Sequence, residues 1–159
     1  MRSVKRAPAT AGRRLVLENS GRPDARTRGR VDIVAVGLIL IGLELVGVSL
    51  LMIVAPDVFF RDVAPIGVQN DHYILDGATF QLSFGIGALL AARTRAWRVP
   101  VLALLTFQSV LHTLNHLKDI DNATPRWLGV ANFVGLAVLV LLLGLLLRRA
   151  LTERRVGAS

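Results

Sequence analysis

No cysteine occurs among the 159 residues, so disulfides, thiolate metal sites and cysteine nucleophiles are all excluded. Lysine is almost missing too. Lys5 and Lys118 are the only two among 19 basic residues, an arginine bias that reads as a GC-rich bacterial genome. Also absent is the interleaving of apolar and polar residues, with a period of two or about 3.6, by which a water-soluble domain buries one face of each element. Nor is there an internal repeat of the kind that inverted-repeat transporters carry.

What the chain has instead is long apolar blocks. Hydrophobic residues make up 53% of it, and several blocks are apolar on every face, the pattern of a helix whose solvent is lipid. The net charge of +8 would point to nucleic acid if it formed a patch on a folded domain. Here the charges cluster at block ends and in a tail, so the partner they imply is a lipid bilayer and not nucleic acid.

Residues 1–30 form a basic leader rich in Arg, Ala, Ser, Gly and Pro without hydrophobic periodicity, and this composition predicts disorder. Gly12-Arg13-Arg14-Leu15 superficially resembles a twin-arginine export signal, but the apolar block begins too far downstream. The block is longer than a signal core of about 7–15 residues, and Pro56 follows the only small-residue stretch at its end. The expectation is an uncleaved anchor.

Crossing a hydrocarbon layer takes roughly 20 residues. Four segments within residues 31–148 reach that length: about 31–54, 73–92, 99–117 and 127–147. The second is interrupted by Asp76 and Gln81 in its outer part. Pro100 and Pro125 are expected at helix starts, where a missing N–H costs nothing. Basic residues set orientation. The leader, the Arg93/Arg95/Arg98 turn and the tail at 149–159, just after Arg148, fall on one side. Asp57, Asp62, Asp71, Asp76, Asp119 and Asp121 fall on the other, with only Arg61, Lys118 and Arg126 as basic company. The expected fold is therefore all-α: an integral membrane four-helix bundle, up-down-up-down, with both termini cytoplasmic, in the bacterial cytoplasmic (inner) membrane. Asp57 to Asp62 is expected to lie flat on the outer surface as a short amphipathic segment.

Most of the chemistry is in the third span. Gln108, His112, Asn115, His116 and Asp119 cover an arc of roughly 100° on one helical face. Facing lipid would be costly, so this stripe is expected to point inward. Glu44 lies about 14 residues past Arg30, or about 21 Å, and His112 lies at a similar depth past Arg98. A lone carboxylate there must be neutral or paired, with His112 as its named partner. Gln81 and Asn132 lie near the outer surface, and His72 and Asp76 stand at it. A pocket formed by Glu44, Gln81, Gln108, Asn115 and Asn132, rimmed by His72 and Asp76, follows as an expectation. Small residues are expected to let helices approach closely: Gly77, Gly85, Ala88 and Ala92 on the second span, Gly37 and Gly47 on the first, and Gly129 and Gly135 on the fourth.

His112 and His116 at i, i+4, with Asp119 one turn on, have the spacing to hold a divalent metal. A haem ranks below it, because two histidines on one turn of one helix cannot be both axial ligands. The competing readings are a polar network that fastens helices and a proton or substrate path.

Through Asn70-Asp71-His72, Asp76-Gly77-Ala78, the turn from Ala91-Ala92-Arg93 to Pro100, and His112-x-x-x-His116-Leu117, the chain resembles the DoxX-like small four-span bacterial membrane proteins, in their uncharacterised actinobacterial branch. The resemblance covers about residues 31–148. It implies no agreed activity and transfers no catalytic residue. Some relatives are tied to respiratory or sulfur redox chemistry as accessory subunits, which the lack of cysteine here disfavours for any thiol step. The leading expectation is a non-enzymatic protein that binds a small ligand or ion, or serves as an accessory subunit, with a homo-oligomer or a membrane redox partner. The alternatives are a metal-dependent membrane oxidoreductase component and a purely structural bundle.

Overall fold

The computed structural model describes residues 31–156; the leader at 1–30 and the last three residues of the tail lie outside the described residues. Five helices follow one another: α1 (Ile33–Val54), α2 (Pro56–Asp62), α3 (Asp71–Arg93), α4 (Arg95–Lys118) and α5 (Arg126–Val156). Three of them, α1, α3 and α5, are long and apolar enough to cross a membrane. The fourth long helix, α4, has 24 residues, slightly more than α1 and α3, but is more polar.

Local chemistry sets most boundaries. Asp32 caps α1, its carboxylate accepting the Ala35 N–H at 3.1 Å, and Asn70 caps α3 by accepting the Tyr73 N–H at 3.3 Å. Pro56 stops α1 and opens α2 in the position where proline is tolerated. Thr94 alone separates α3 from α4. α4 thus begins at Arg95, and Pro100 lies inside it, not at its start as the spacing had predicted. Pro125 does precede α5. α5 continues well past the expected end at residue 147, because Ala150 follows Leu143 at i+7 and both are buried. Its 31 residues make about 46 Å of helix, longer than the roughly 30 Å hydrocarbon layer.

α1 packs chiefly on α3, and α4 on α5; α3 meets α4 over a shorter stretch, and α1 touches α5 narrowly. One apolar cluster joins all four long helices: Val34, Leu38 and Ile41 with Ala88, Ala91, Leu102, Leu105 and Leu143. It lies toward the end where α1 starts and α5 finishes. At the opposite end the connections hold each other. Ile66 bridges to Ala123, the Thr124 N–H donates to the Pro65 carbonyl at 3.2 Å, and Gly67 turns the chain with φ of +69°. Elsewhere the surface is greasy. Leu40, Phe107, Leu141 and Leu145 are each 63–68% exposed, which suits lipid and would be a liability in water.

The α1–α3 seam depends on glycine. A Cβ on Gly85 would lie 3.0 Å from the Val46 nitrogen and 3.1 Å from the Gly42 carbonyl oxygen, so backbone meets backbone there. The small stripe expected on the second span is thus used. On α1 the working glycine is Gly42, which the spacing had not singled out. Gly47 and Gly135 face open space, whereas Gly129 sits hard against the Ile120 carbonyl. Gly85→Ala is expected to lower stability by about 1–3 kcal/mol through overpacking. Gly47→Ala should be neutral or stabilising by up to about 1 kcal/mol. Thermal unfolding of the two detergent-purified variants checks the contrast; equal losses would contradict the seam.

Candidate functional site

On α4 the buried residues Arg98, Leu102, Leu105 and Ser109 define the inward face. Measured from Ser109 at about 100° per residue, His116 stands about 20° away, His112 about 60°, Gln108 about 100° and Asn115 about 120°. Burial follows that order in part: His116 and Gln108 are half-buried, while His112 and Asn115 are exposed. The stripe expected to point inward lies instead along the flank of α4, and only His116 turns clearly inside. The reason is that Leu102, Leu105 and Ser109, a narrower and better-packing row, take the interior.

His112 and His116 are brought together. Their ring centroids lie 4.7 Å apart and nearly perpendicular, at 80°, an edge-to-face contact. The Nδ1 of His116 is buried and has no hydrogen-bond partner among the described residues. Buried polar nitrogens are rarely left this way. Asp119 does not join the pair: it closes α4 as C-cap, and its carboxylate accepts from the Asn122 amide at 3.1 Å. Among the described residues no three His, Asp or Glu side chains gather to hold a metal ion. The expected His112, His116, Asp119 ligand set is therefore not assembled, because the helix ends at the acid and the loop engages it.

The other expected members separate. Glu44 is exposed on α1 and, among the described residues, forms no ion pair or hydrogen bond, so the expected pairing with His112 is not made. Its position follows from Leu38 and Ile41: these occupy the core-facing row, and Glu44 falls on the neighbouring row with Gly37 and Leu40. Gln81 is half-buried on α3, about 60° from Ala78 and about 40° from Gly85 in the helical projection. Asn132 is half-buried and engaged elsewhere, its amide donating to the Val63 carbonyl at 2.8 Å. His72 and Asp76 meet at 3.5 Å in the open, with side chains 79% and 59% exposed; such a pair contributes little. Between α3 and α4 runs a cleft of about 270 Å³ lined by Phe80, Ser83, Phe84, Gly87, Val101 and Leu104. From Leu104 the same row of α4 continues at i+4 steps to Gln108 and His112.

One polar site was missed from the sequence. Arg98 is 6% exposed. Its guanidinium donates to both oxygens of Asp32, at 3.0 and 2.8 Å, and to the Ala92 carbonyl at 3.0 Å. Glu153 of α5 stands 4.0 Å away and also holds Arg149 at 3.2 Å. Arg98 thus ties together α1, α3, α4 and α5. In the sequence it passed as one of several orientation-setting arginines. The available signal was Asp32, an acid at the mouth of the first apolar block on the otherwise basic side.

No family model matches the chain, and neither a curated protein nor a solved structure matches it.

The Arg98 guanidinium holds the Asp32 carboxyl below the usual carboxylate range, helped by the Ala35 N–H and opposed by partial burial. A carboxyl whose folded pKa lies below its unfolded value adds stability above about pH 4, and that increment is lost as pH falls through the depressed folded value. The difference in stability between wild type and Asp32→Asn is therefore expected to be constant at neutral pH and to shrink on acidification below about pH 4. Breaking a buried pair costs about 3–5 kcal/mol, and the 38% exposure of the Asp32 side chain reduces this to about 1–3 kcal/mol. Chemical unfolding across pH measures both; a pH-independent difference would contradict the pair's role.

Proposed function

We propose that this is a four-span protein of the bacterial inner membrane, both ends cytoplasmic, which binds a small polar ligand or ion at the His112–His116 pair without catalysing a reaction. The observation that carries the binding site is the buried, unpartnered Nδ1 of His116 beside the ring of His112. A ligand that hydrogen-bonds or coordinates there would satisfy a group that the described residues leave bare. The cleft between α3 and α4, on whose row His112 lies, offers an approach from the side.

Four spans are supported by connectivity. α4 follows α3 after one residue and packs along α5, so if its neighbours cross the bilayer it must run back beside them. Between Val99 and Leu117 it carries no Asp, Glu, Lys or Arg. Orientation is supported by charge: Arg93, Arg95, Arg98, Arg148 and Arg149 gather at the end where Arg98 meets Asp32, and the acidic residues of the loops gather at the other. The resemblance to the DoxX-like proteins belongs to this proposal and rests on the short motifs alone. A cytoplasm-only reporter fused after Ser159 is expected to be active, and a periplasm-only reporter near Asn70 likewise. The reverse pattern would overturn the orientation.

For the site, the full-length protein in detergent is compared with a His112→Ala/His116→Ala variant by elemental analysis, native mass spectrometry and thermal unfolding with Zn²⁺ as probe. A retained metal or small molecule, or a Zn²⁺-dependent rise in Tm, present in the wild type and lost in a folded variant is the expected result. Identical behaviour of the two, or a variant that fails to fold, would move the histidines to a structural role.

A further inference from the structure

Far from the histidines, α1 and α5 enclose a groove of about 830 Å³ beside the Arg98 cluster, within the roughly 300–1,000 Å³ of ligand-binding clefts. Its walls are aliphatic: Ile33, Val36, Leu40, Leu142, Leu145 and Leu146. At its floor α1 and α5 are in contact, since a Cβ on Gly37 would lie 2.6 Å from the Leu146 side chain. Polar groups occur at one end only, where Arg148, Arg149, Thr152 and Glu153 line the rim.

The rim is net positive. Among the lining residues Arg148 and Arg149 stand against the single acid Glu153, and that glutamate is already engaged by Arg149 and Arg98. Arg148 has no ion-pair partner among the described residues. A guanidinium presents a planar fork that matches a phosphate. The apolar part extends along about 12 Å of α1, from Ile33 to Ile41. Apolar throughout, cationic at one end, and open along the side of two helices that are apolar enough to span a bilayer, the groove has the polarity of a one-headed amphiphile.

We infer that the α1–α5 groove is a binding site for an anionic phospholipid, with an acyl chain along Leu40, Leu142 and Leu145 and the phosphate at Arg148. An apolar helix of another protein would fill the walls but would leave the rim cations unused, whereas a zwitterionic lipid brings its own cation to a cationic rim. Basic pockets between helices at a membrane surface recognise anionic headgroups in this way. The inference depends on the chain spanning a membrane and is independent of the histidine pair.

The test titrates the full-length protein in detergent with dioleoylphosphatidylglycerol and, separately, dioleoylphosphatidylcholine, reading bound lipid by native mass spectrometry. Arg148→Gln removes the proposed phosphate contact and spares the Arg149–Glu153 pair. Arg155→Gln removes an equal charge from outside the groove lining. Leu145→Trp, at an exposed wall position, fills the groove. The wild type is expected to favour the anionic lipid. Arg148→Gln should weaken that lipid by about fivefold, roughly what one arginine contributes at an anionic surface, while Arg155→Gln changes it much less. Leu145→Trp should weaken both lipids. Equal binding of the two lipids by the wild type, equal losses from Arg148→Gln and Arg155→Gln, or unchanged binding to Leu145→Trp would each overturn the site.

Discussion

A guanidinium that cannot reach water needs acceptors, and Arg98 is that group here: both terminal nitrogens find them, while its Nε has no partner among the described residues. Its side chain leaves the first turn of α4 and ends among the N-cap acid of α1, the Ala92 carbonyl of α3 and an acid on the extension of α5. Each long helix therefore supplies something to one charge. Removing any supplier leaves a buried cation short of acceptors, a cost that well-packed leucines nearby cannot offset. The geometry also accounts for two features that a hydropathy reading finds odd. α4 starts early, so that Arg98 lies on its inward face one turn before Leu102. α5 runs late, so that Glu153 can reach the same point.

Immediately beyond this cluster the apolar core begins, and it is thickest there. Val34, Leu38, Leu102, Leu105 and Leu143 fill the space between helices, while Gly42 and Gly85 draw α1 and α3 into backbone contact. Further along, many inward positions are small or polar, Ser49, Gln81, Ser109, His116 and Asn132 among them, although Met52 is buried there too. Ser49 bonds back to the Leu45 carbonyl at 2.6 Å and Asn132 reaches a loop, so both are satisfied locally. His116 is not. The same helices are thus sealed at one end and furnished with polar groups at the other.

Much of this was legible in the sequence. Long apolar runs, Pro125 ahead of the last helix and the small stripe on the second span all express local rules that tertiary structure did not override. The failures share a cause. A helix only about 24 residues long has its facing set by a few large side chains, and a polar arc of about 100° can be rotated by one residue without changing its composition. The stripe from Gln108 to Asp119 was therefore recognisable, yet its direction depended on Leu102 and Leu105, which nothing in the sequence singles out. Glu44 fails in the same way, one row off the Leu38–Ile41 face. Arg98 was hidden because an orientation-setting arginine and a buried one look alike until the acid opposite is placed.

The two candidate binding regions lie at opposite ends of the helices and on different seams, the histidines beside the α3–α4 cleft and the basic-rimmed groove between α1 and α5. The seams with the most contact, α1–α3 and α4–α5, hold neither. This distribution follows from packing. Where glycines and leucines interlock fully there is no room for a ligand, so grooves form where the two well-packed pairs meet only along part of their length. A chain built from two tight helix pairs, pinned to each other by one buried arginine, leaves both remaining seams open for much of their course. Polar or charged residues placed along those seams then meet whatever lies beside them.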